Sequence, residues 1–486
     1  MGYEKGRFKF ILKKIRLNLN YIVGFCLVMC LLIGFSQSTL SADKISLREA
    51  LKLGLENNSQ LKQARYDTEK SDIDMKRAVR AIFPSVKLES TYTRMGEAPK
   101  QPSKYAFPKA GSTEIKLPGM DEKVPIDEYY MIPTEYEKMS KENYQTSITL
   151  NQPIYMGGKV RMGIKQARKG KKMTDIQVEQ KRAEILNQII QSYYNVLMAR
   201  ERVAIEKQAL RLVREHKEMA EASFEAGTAL KTDLLQAEIE ETKAIHSLNQ
   251  AQNQLKMARK NMINTLGIEP KSEKIKLDKP DLRPEIELES DQLFNTALKG
   301  RPEVRLTKLN REMTETSLDL EEKSNLPQVM LIGNYNWQGS EFSLENGSGN
   351  LMLSASMSLF DGGKSNMQEE KYKKELAKID ESRSSLKNMI RLEIEQQIMK
   401  IKEHKNNINL QKINLKKARE SLEISKKRFE QGMGRSVEVL QAQTTLKQTR
   451  MSQMMAKYKH NMALFSLLKK TGQLVDYCKE VINSEK

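Results

Sequence analysis

The chain repeats itself, and this repeat restricts the possible folds more than any other feature. Adding 205 to a position in the first half finds its counterpart in the second. Tyr155 lands on Phe360, Gly157 on Gly362, Gly158 on Gly363 and Lys159 on Lys364. The same offset carries Phe224 to Phe429, Gly227 to Gly432, Leu235 to Leu440, Ala237 to Ala442 and Gly267 to Gly472. A gapless register from 155 to 267 is an internal duplication. Upstream the offset is 243, pairing Pro84 with Pro327, Leu88 with Leu331 and Tyr92 with Tyr335. The fall from 243 to 205 places 38 extra residues in the first half, between Tyr92 and Tyr155. They lie within 95–143, where Pro99, Pro102, Pro108, Pro118, Pro125 and Pro133 read as a long irregular loop.

Each half therefore follows one plan. Residues 43–267 form the first repeat, 268–290 a linker, 291–474 the second repeat and 475–486 a C-terminal tail. Short helices open each half; Ser46 and Glu49 have the spacing of a capping box. A β-hairpin follows (84–155 and 327–360), then a Gly-Gly-Lys corner, then a long helical hairpin (159–266 and 364–471). Neither corner has the spacing of a phosphate-binding loop. Gly157 and Gly158, like Gly362 and Gly363, instead permit a sharp strand-to-helix turn. Lys159 and Lys364 then fall where an anionic head group can meet them, if the strands enter a membrane.

The strands alternate. Val86, Leu88 and Tyr92 share one face, with Lys87, Glu89 and Thr91 opposite. Ile148 and Leu150 alternate with Ser147, Thr149 and Asn151; Leu353, Ala355, Met357 and Leu359 alternate with Ser354, Ser356 and Ser358. Val329, Leu331, Tyr335 and Trp337 complete the set. The pattern fits strands with one face in lipid and one in a watery lumen, or a half-buried soluble hairpin. Two halves supply four strands. An open four-stranded sheet leaves edge backbone groups unpaired in hydrocarbon, so a spanning sheet must be closed by further copies of the chain. Three copies would make twelve strands.

The helices carry a seven-residue seam. Ile394, Ile401, Ile408, Leu415, Leu422 and Phe429 recur in register with Ile189, Val196, Val203, Leu210, Lys217 and Phe224. Such a seam argues for coiled-coil packing. Lys405, Lys412 and Lys426 dilute the neighbouring seam, as suits the wall of a hollow tube; an ordinary extended coiled coil is the alternative. No proline interrupts 159–226, enough for roughly 100 Å of helix. The turns read "FEAGTALKTDLLQAE" and "FEQGMGRSVEVLQAQ", where Gly227 and Gly432 suit the left-handed residue that ends a helix. Thr232 and Asp233 can cap the first returning helix, and Ser436 and Glu438 the second.

Residues 1–42 read as a secretory signal peptide, with an uncleaved anchor as the alternative. A basic stretch (Lys5, Arg7, Lys9, Lys13, Lys14, Arg16) precedes the apolar run Tyr21–Phe35 and then small residues. The remaining chain holds only Cys478, which excludes an internal disulfide. Net charge is +19 for the whole chain, and six basic residues against Glu4 in the signal leave about +14. The basic surface suits anionic lipid or solvated helix faces. No nucleic-acid motif, P-loop, zinc-ligand spacing or nucleophile motif appears, so neither an enzyme, a cofactor nor a metal site is expected. His216, His246, His404 and His460 read as surface or seam residues.

Taken together, the duplication, "QPIYMGGK" and "SLFDGGKS" at the corners, and the two turn motifs resemble the TolC family of outer-membrane efflux and export proteins. The likeness covers about 45–475. It implies a mixed α/β membrane protein: a shared trimeric transmembrane β-barrel, four strands per chain, continuous with a long α-helical barrel in the periplasm. It implies a homotrimer that docks on a periplasmic adaptor and an inner-membrane pump of RND, ABC or MFS type, with a gated entrance at the helical turns. By position, the gate residues fall on Thr232, Asp233, Phe429, Glu438 and Gln441, and the family's gate arginine on Gly434, with Arg435 adjacent. Phe429 lacks the hydroxyl the family often carries there, and Gln441 is neutral where the family is acidic. Three copies of Glu438 around one constriction would favour cations. A passive exit duct is the expected function; a structural envelope coiled coil and a stand-alone porin are the rivals.

Overall fold

The computed structural model describes residues 44–106, 114–116, 121–125, 132–269, 276–278, 282–345 and 347–484. The signal stretch 1–42 and parts of 95–143 and 268–290 lie outside these residues. In chain order the elements are β1 (Lys44–Ile45), α1 (Leu47–Asn57), α2 (Ser59–Arg80), β2 (Ser85–Arg94), β3 (Lys100–Ala106), β4 (Glu114–Lys116), β5 (Lys123–Pro125), β6 (Ile132–Lys138) and β7 (Glu142–Met156). The long helices α3 (Lys159–Glu225) and α4 (Lys231–Leu266) follow, then β8 (Lys276–Leu277), α5 (Ser290–Gly300) and α6 (Pro302–Glu322). β9 (Gln328–Gly339), β10 (Ser348–Ser356), α7 (Lys364–Glu430), α8 (Ser436–Thr471) and α9 (Leu474–Asn483) complete the chain. Both ends of α3 and α4 map onto those of α7 and α8 through the 205-residue offset, so each long pair has 67 and 36 residues.

Two compact units divide these elements: 1–54 with 189–283 and 415–454, and 55–188 with 284–414 and 455–486. The second contains the membrane-type sheet. Its order is β10-β9-β7-β2, every pair antiparallel, so the two hairpins lie side by side through β7 and β9. The register aligns rows across all four strands. Val86, Leu150, Gly333 and Leu351 form one row, and Leu88, Ile148, Tyr335 and Gly349 the next on the same face. The other face carries Lys87, Thr149, Asn334 and Asn350, then Glu89, Ser147, Asn336 and Ser348. The apolar face is uncovered: Val86, Leu351 and Leu353 are 68%, 71% and 68% exposed. Aromatic pairs gather near one end, Tyr92 with Tyr144 (ring centroids 4.8 Å apart) and Tyr335 with Trp337 (4.6 Å). Gly349 sits directly across from Tyr335, where a Cβ would fall 2.8 Å from the ring.

Three sequence expectations change. The stretch 95–143 is not irregular throughout: β3 pairs with β6 and β4 with β5. Two-stranded ribbons tolerate Pro102 and Pro125 because each strand needs only half its amide donors. β10 stops at Ser356, so Met357 and Leu359 lie beyond the strand, although β7 continues to Met156. The supposed tail contains α9, which buries Leu474, Val475, Cys478 and Val481 at helical spacing.

Ion pairs and apolar contacts join the helices of this unit. Arg305 makes two bonds to Glu179 (3.1 and 2.7 Å), Lys171 meets Asp72 at 2.5 Å, and Arg301 meets Glu393 at 2.9 Å. Ile390, Ile394, Ile398 and Ile401 of α7 pack with Leu293 and Ala297 of α5 and with Ala463 and Leu467 of α8.

In the first unit, Ser46 and Glu49 form the reciprocal cap of α1 (Ser46 N to Glu49 Oε2, 2.7 Å; Glu49 N to Ser46 Oγ, 3.2 Å). β1 lies parallel to β8, and Tyr193 Oη donates toward the Ile45 and Asp278 carbonyls. Leu415, Ala418 and Leu422 of α7 pack with Val439, Ala442 and Leu446 of α8, joined by Leu212 of α3. Among the described residues no helix is long and apolar enough to cross a membrane.

Candidate functional site

The two helical turns are built alike, and their sequences explain why. Gly227 and Gly432 both take φ of 72°, a left-handed conformation that Cβ-bearing residues resist. In the first turn Gly227 N donates to Phe224 O (3.0 Å) and Thr228 N to Ser223 O (2.8 Å). In the second Gly432 N donates to Phe429 O (3.0 Å) and Met433 N to Arg428 O (2.9 Å). This pattern satisfies carbonyls that a helix end leaves without partners. The corners also take left-handed glycines: Gly157 at 58°, Gly158 at 82°, Gly362 at 72° and Gly363 at 80°. Lys159 and Lys364 are the first residues of α3 and α7. At the second corner Asp361 caps α7, accepting from Gly363 N (2.9 Å) and from Ser365 N (2.8 Å) and Oγ (2.5 Å), which holds its carboxyl below the ordinary value.

Within one chain, the gate residues expected from sequence make separate local contacts. Asp233 accepts from Leu230 N at 3.3 Å, so its carboxylate caps its own helix. Leucine has no acceptor to return the bond, so only half a capping box exists. Thr232 is exposed beside it. Arg435 points to Glu438 (3.9 Å), and Arg428 approaches the same carboxylate (3.7 Å). Glu438 is therefore flanked by two arginines, and the cluster of three carries one net positive charge per chain. Glu438 does not present the bare acidic ring expected from sequence. Gln441 is exposed, and its carbonyl accepts from Thr445 Oγ1 (2.9 Å). The position expected for an arginine, Gly434, is tightly packed: a Cβ there would fall 3.2 Å from Arg428 Cβ and from Phe429 N, so the turn would have to give by a few tenths of an ångström.

A residue that sequence reasoning set aside occupies the centre. His216 of α3 is fully buried; its Nε2 lies 2.8 Å from Ser436 Oγ at the start of α8, and its ring lies tilted against Phe429 of α7 (5.0 Å between centroids, 59° between planes). Ser436, read from sequence as a cap, is 1% exposed and serves this contact. Burial, and secondarily Lys426, push the imidazole down to about 4, while Asp233 acts in the opposite sense. Three further contacts tie α3 to the second hairpin: Lys426 to Glu215 (3.3 Å), Gln443 Nε2 to Leu212 O (3.0 Å) and Lys447 to Glu206 (3.8 Å). The heptad break carried the signal for His216. The seam of α3 passes from Leu210 to Lys217, and the buried position at the break is its neighbour, His216.

The family model for outer membrane efflux proteins matches residues 50–268 and 293–473, spanning both repeats. The chain belongs to the outer membrane efflux protein family. Its two matched segments correspond to the duplicated plan. The outer membrane efflux protein BepC of Brucella suis is 21% identical over 351 residues, covering 69% of this chain and 75% of the relative. Among solved structures, the Campylobacter jejuni CmeC outer membrane channel superposes with a TM-score of 0.68 at 14% identity, covering 93% of this chain and 95% of that one. The outer membrane protein VceC of Vibrio cholerae gives a TM-score of 0.66 at 14% identity over 88% and 96%. Family membership makes this chain an outer membrane efflux protein. The sheet and the paired long helices are the fold shared with those channels.

Proposed function

We propose that three copies of this chain close one twelve-stranded barrel in the outer membrane and form a passive exit duct. The helical hairpins make the periplasmic tube, and the helical turns gate its entrance. The carrying observation is the four-stranded sheet with unpaired outer strands, an uncovered apolar face and a polar face opposite. An open sheet of this kind is not viable in hydrocarbon, and closure by copies satisfies both edges. Polar rows such as Lys87, Thr149, Asn334 and Asn350 then line a wet lumen. The duct works by selection and gating, and an inner-membrane pump coupled through a periplasmic adaptor supplies the energy. Residues 1–42 direct export.

At the entrance, His216, Ser436 and Phe429 hold the α7–α8 turn against α3. Purified protein in planar bilayers tests the channel reading. The expected result is trimers giving small, discrete conductance steps. Folded protein that remains monomeric and gives no conductance overturns it, as does a wide pore with no closed state.

A further inference from the structure

The first strand-to-helix corner opens onto a cavity of about 1250 Å³ that the exit-duct reading does not use. Three chain segments wall it. Ile82, after α2, is held by its carbonyl, which accepts from Gln152 Nε2 at 2.9 Å. The end of β7 contributes Ile154 and Tyr155, both exposed. The turn after α6 contributes Leu326, which lies against the corner so closely that a Cβ on Gly157 would fall 3.2 Å from its Cβ. This wall is apolar and continues from the sheet whose apolar face is uncovered.

The remaining wall is basic. Arg161, Lys165 and Arg168 recur at i, i+4 and i+7 on α3, so they share one helix face. Lys323 faces the cavity from the opposite segment. All four are exposed, and none is ion-paired to an acidic side chain among the described residues. Four unneutralised cations around an apolar hollow are complementary to an amphiphile with an anionic head.

The duplication supplies an internal comparison. At the first corner, positions 159, 161, 165 and 168 hold Lys, Arg, Lys and Arg. Their counterparts at 364, 366, 370 and 373 are Lys, Asn, Glu and Lys. Four positive charges stand against a net of one, on equivalent scaffolds. Both corners keep the left-handed glycines that turn the chain into a helix, and the second makes the turn with fewer cations. The extra charge at the first corner therefore has no folding role to account for it.

We propose that this cavity binds one anionic phospholipid of the leaflet facing the helices. Its phosphate sits among Arg161, Lys165, Arg168 and Lys323, and its acyl chain lies along Ile82, Ile154 and Leu326. The site rests on the reading that the sheet spans the membrane.

The test uses the full chain reconstituted in nanodiscs of equal phosphatidylglycerol and phosphatidylcholine, then released and analysed by native mass spectrometry. The expected result is retained phosphatidylglycerol enriched over phosphatidylcholine. The triple variant Arg161→Gln/Lys165→Gln/Arg168→Gln should lose that enrichment by roughly fivefold per charge removed. The Lys364→Gln/Lys373→Gln variant should keep it. Equal enrichment in the triple variant overturns the site, as does displacement of the lipid by excess inorganic phosphate, which would mark a simple anion site. Conductance of the same preparations separates the two readings. A conducting channel without enrichment overturns the lipid site alone, whereas a chain that never conducts overturns both.

Discussion

Replacing His216 by alanine is the most direct test of the entrance assignment. The substitution removes the 2.8 Å contact with Ser436 Oγ and the ring contact with Phe429. Ser436 is 1% exposed, so its hydroxyl is left in a site that water does not readily reach. An orphaned buried polar group costs about 1–3 kcal/mol, and a lost ring pair about 0.5–1.5 kcal/mol. Together these weaken the attachment of the α7–α8 turn to α3 by about 1.5–4.5 kcal/mol. The loss shifts gating only so far as the contact is absent in the open state. If it is fully absent, even the lower value raises the open-to-closed ratio about 10-fold. Single-channel recording of assembled trimers reads this ratio directly. Ser436→Ala and the double variant complete a cycle in which the two effects are expected to be strongly non-additive. Unchanged open probability in a trimer of normal assembly would refute the lock, and so would strictly additive effects.

The same site predicts a pH response. His216 is neutral when buried and titrates near 4, against 6.5 for the free side chain. The attachment is therefore intact above about 6.5 and weakens as pH falls towards 4, by about 1.4 kcal/mol per unit and on the order of 3 kcal/mol in total. Open probability should rise over that window and stay flat in His216→Gln, with Lys426, Glu215 and Asp233 left in place around the ring. Glu438 lies between Arg428 and Arg435, so the entrance should show no cation preference. Arg428→Gln/Arg435→Gln should move the reversal potential in a salt gradient towards cations, and a wild-type channel already cation-selective would refute the charge assignment. Gly349→Val should crowd Tyr335 across the β9–β10 pair and destabilise the trimer by about 1–3 kcal/mol, read as a lower dissociation temperature on gels.

Much of this architecture was legible because duplication and period are local properties of a chain. The 205-residue offset carries both ends of α3 and α4 onto those of α7 and α8. Strand alternation announced which side chains share a face, and register only had to align rows such as Leu88, Ile148 and Tyr335. The glycines of the corners and turns were readable because a left-handed residue is a demand on one position. Prolines misled at 95–143, since ribbon strands need amides on one side only. Alternation likewise ran past Ser356 because it cannot tell a paired strand from extended chain.

Sequence by itself determined the repeat, the four strands, the hairpins of long helices and the family they resemble. Tertiary structure alone decided who meets whom at the turns. A cap, a seam and a charge are read one segment at a time, but His216 and Ser436 stand 220 residues apart and meet only because α3 packs against the second hairpin. Glu438 is a milder case: Arg435 stands three residues away in the chain, but Arg428 reaches the same carboxylate only across the folded turn. Packing is also tight at position 434, where a Cβ would fall 3.2 Å from Arg428 Cβ. Backbone preferences are set by neighbours in the chain, whereas burial, desolvation and charge pairing are set by neighbours in space.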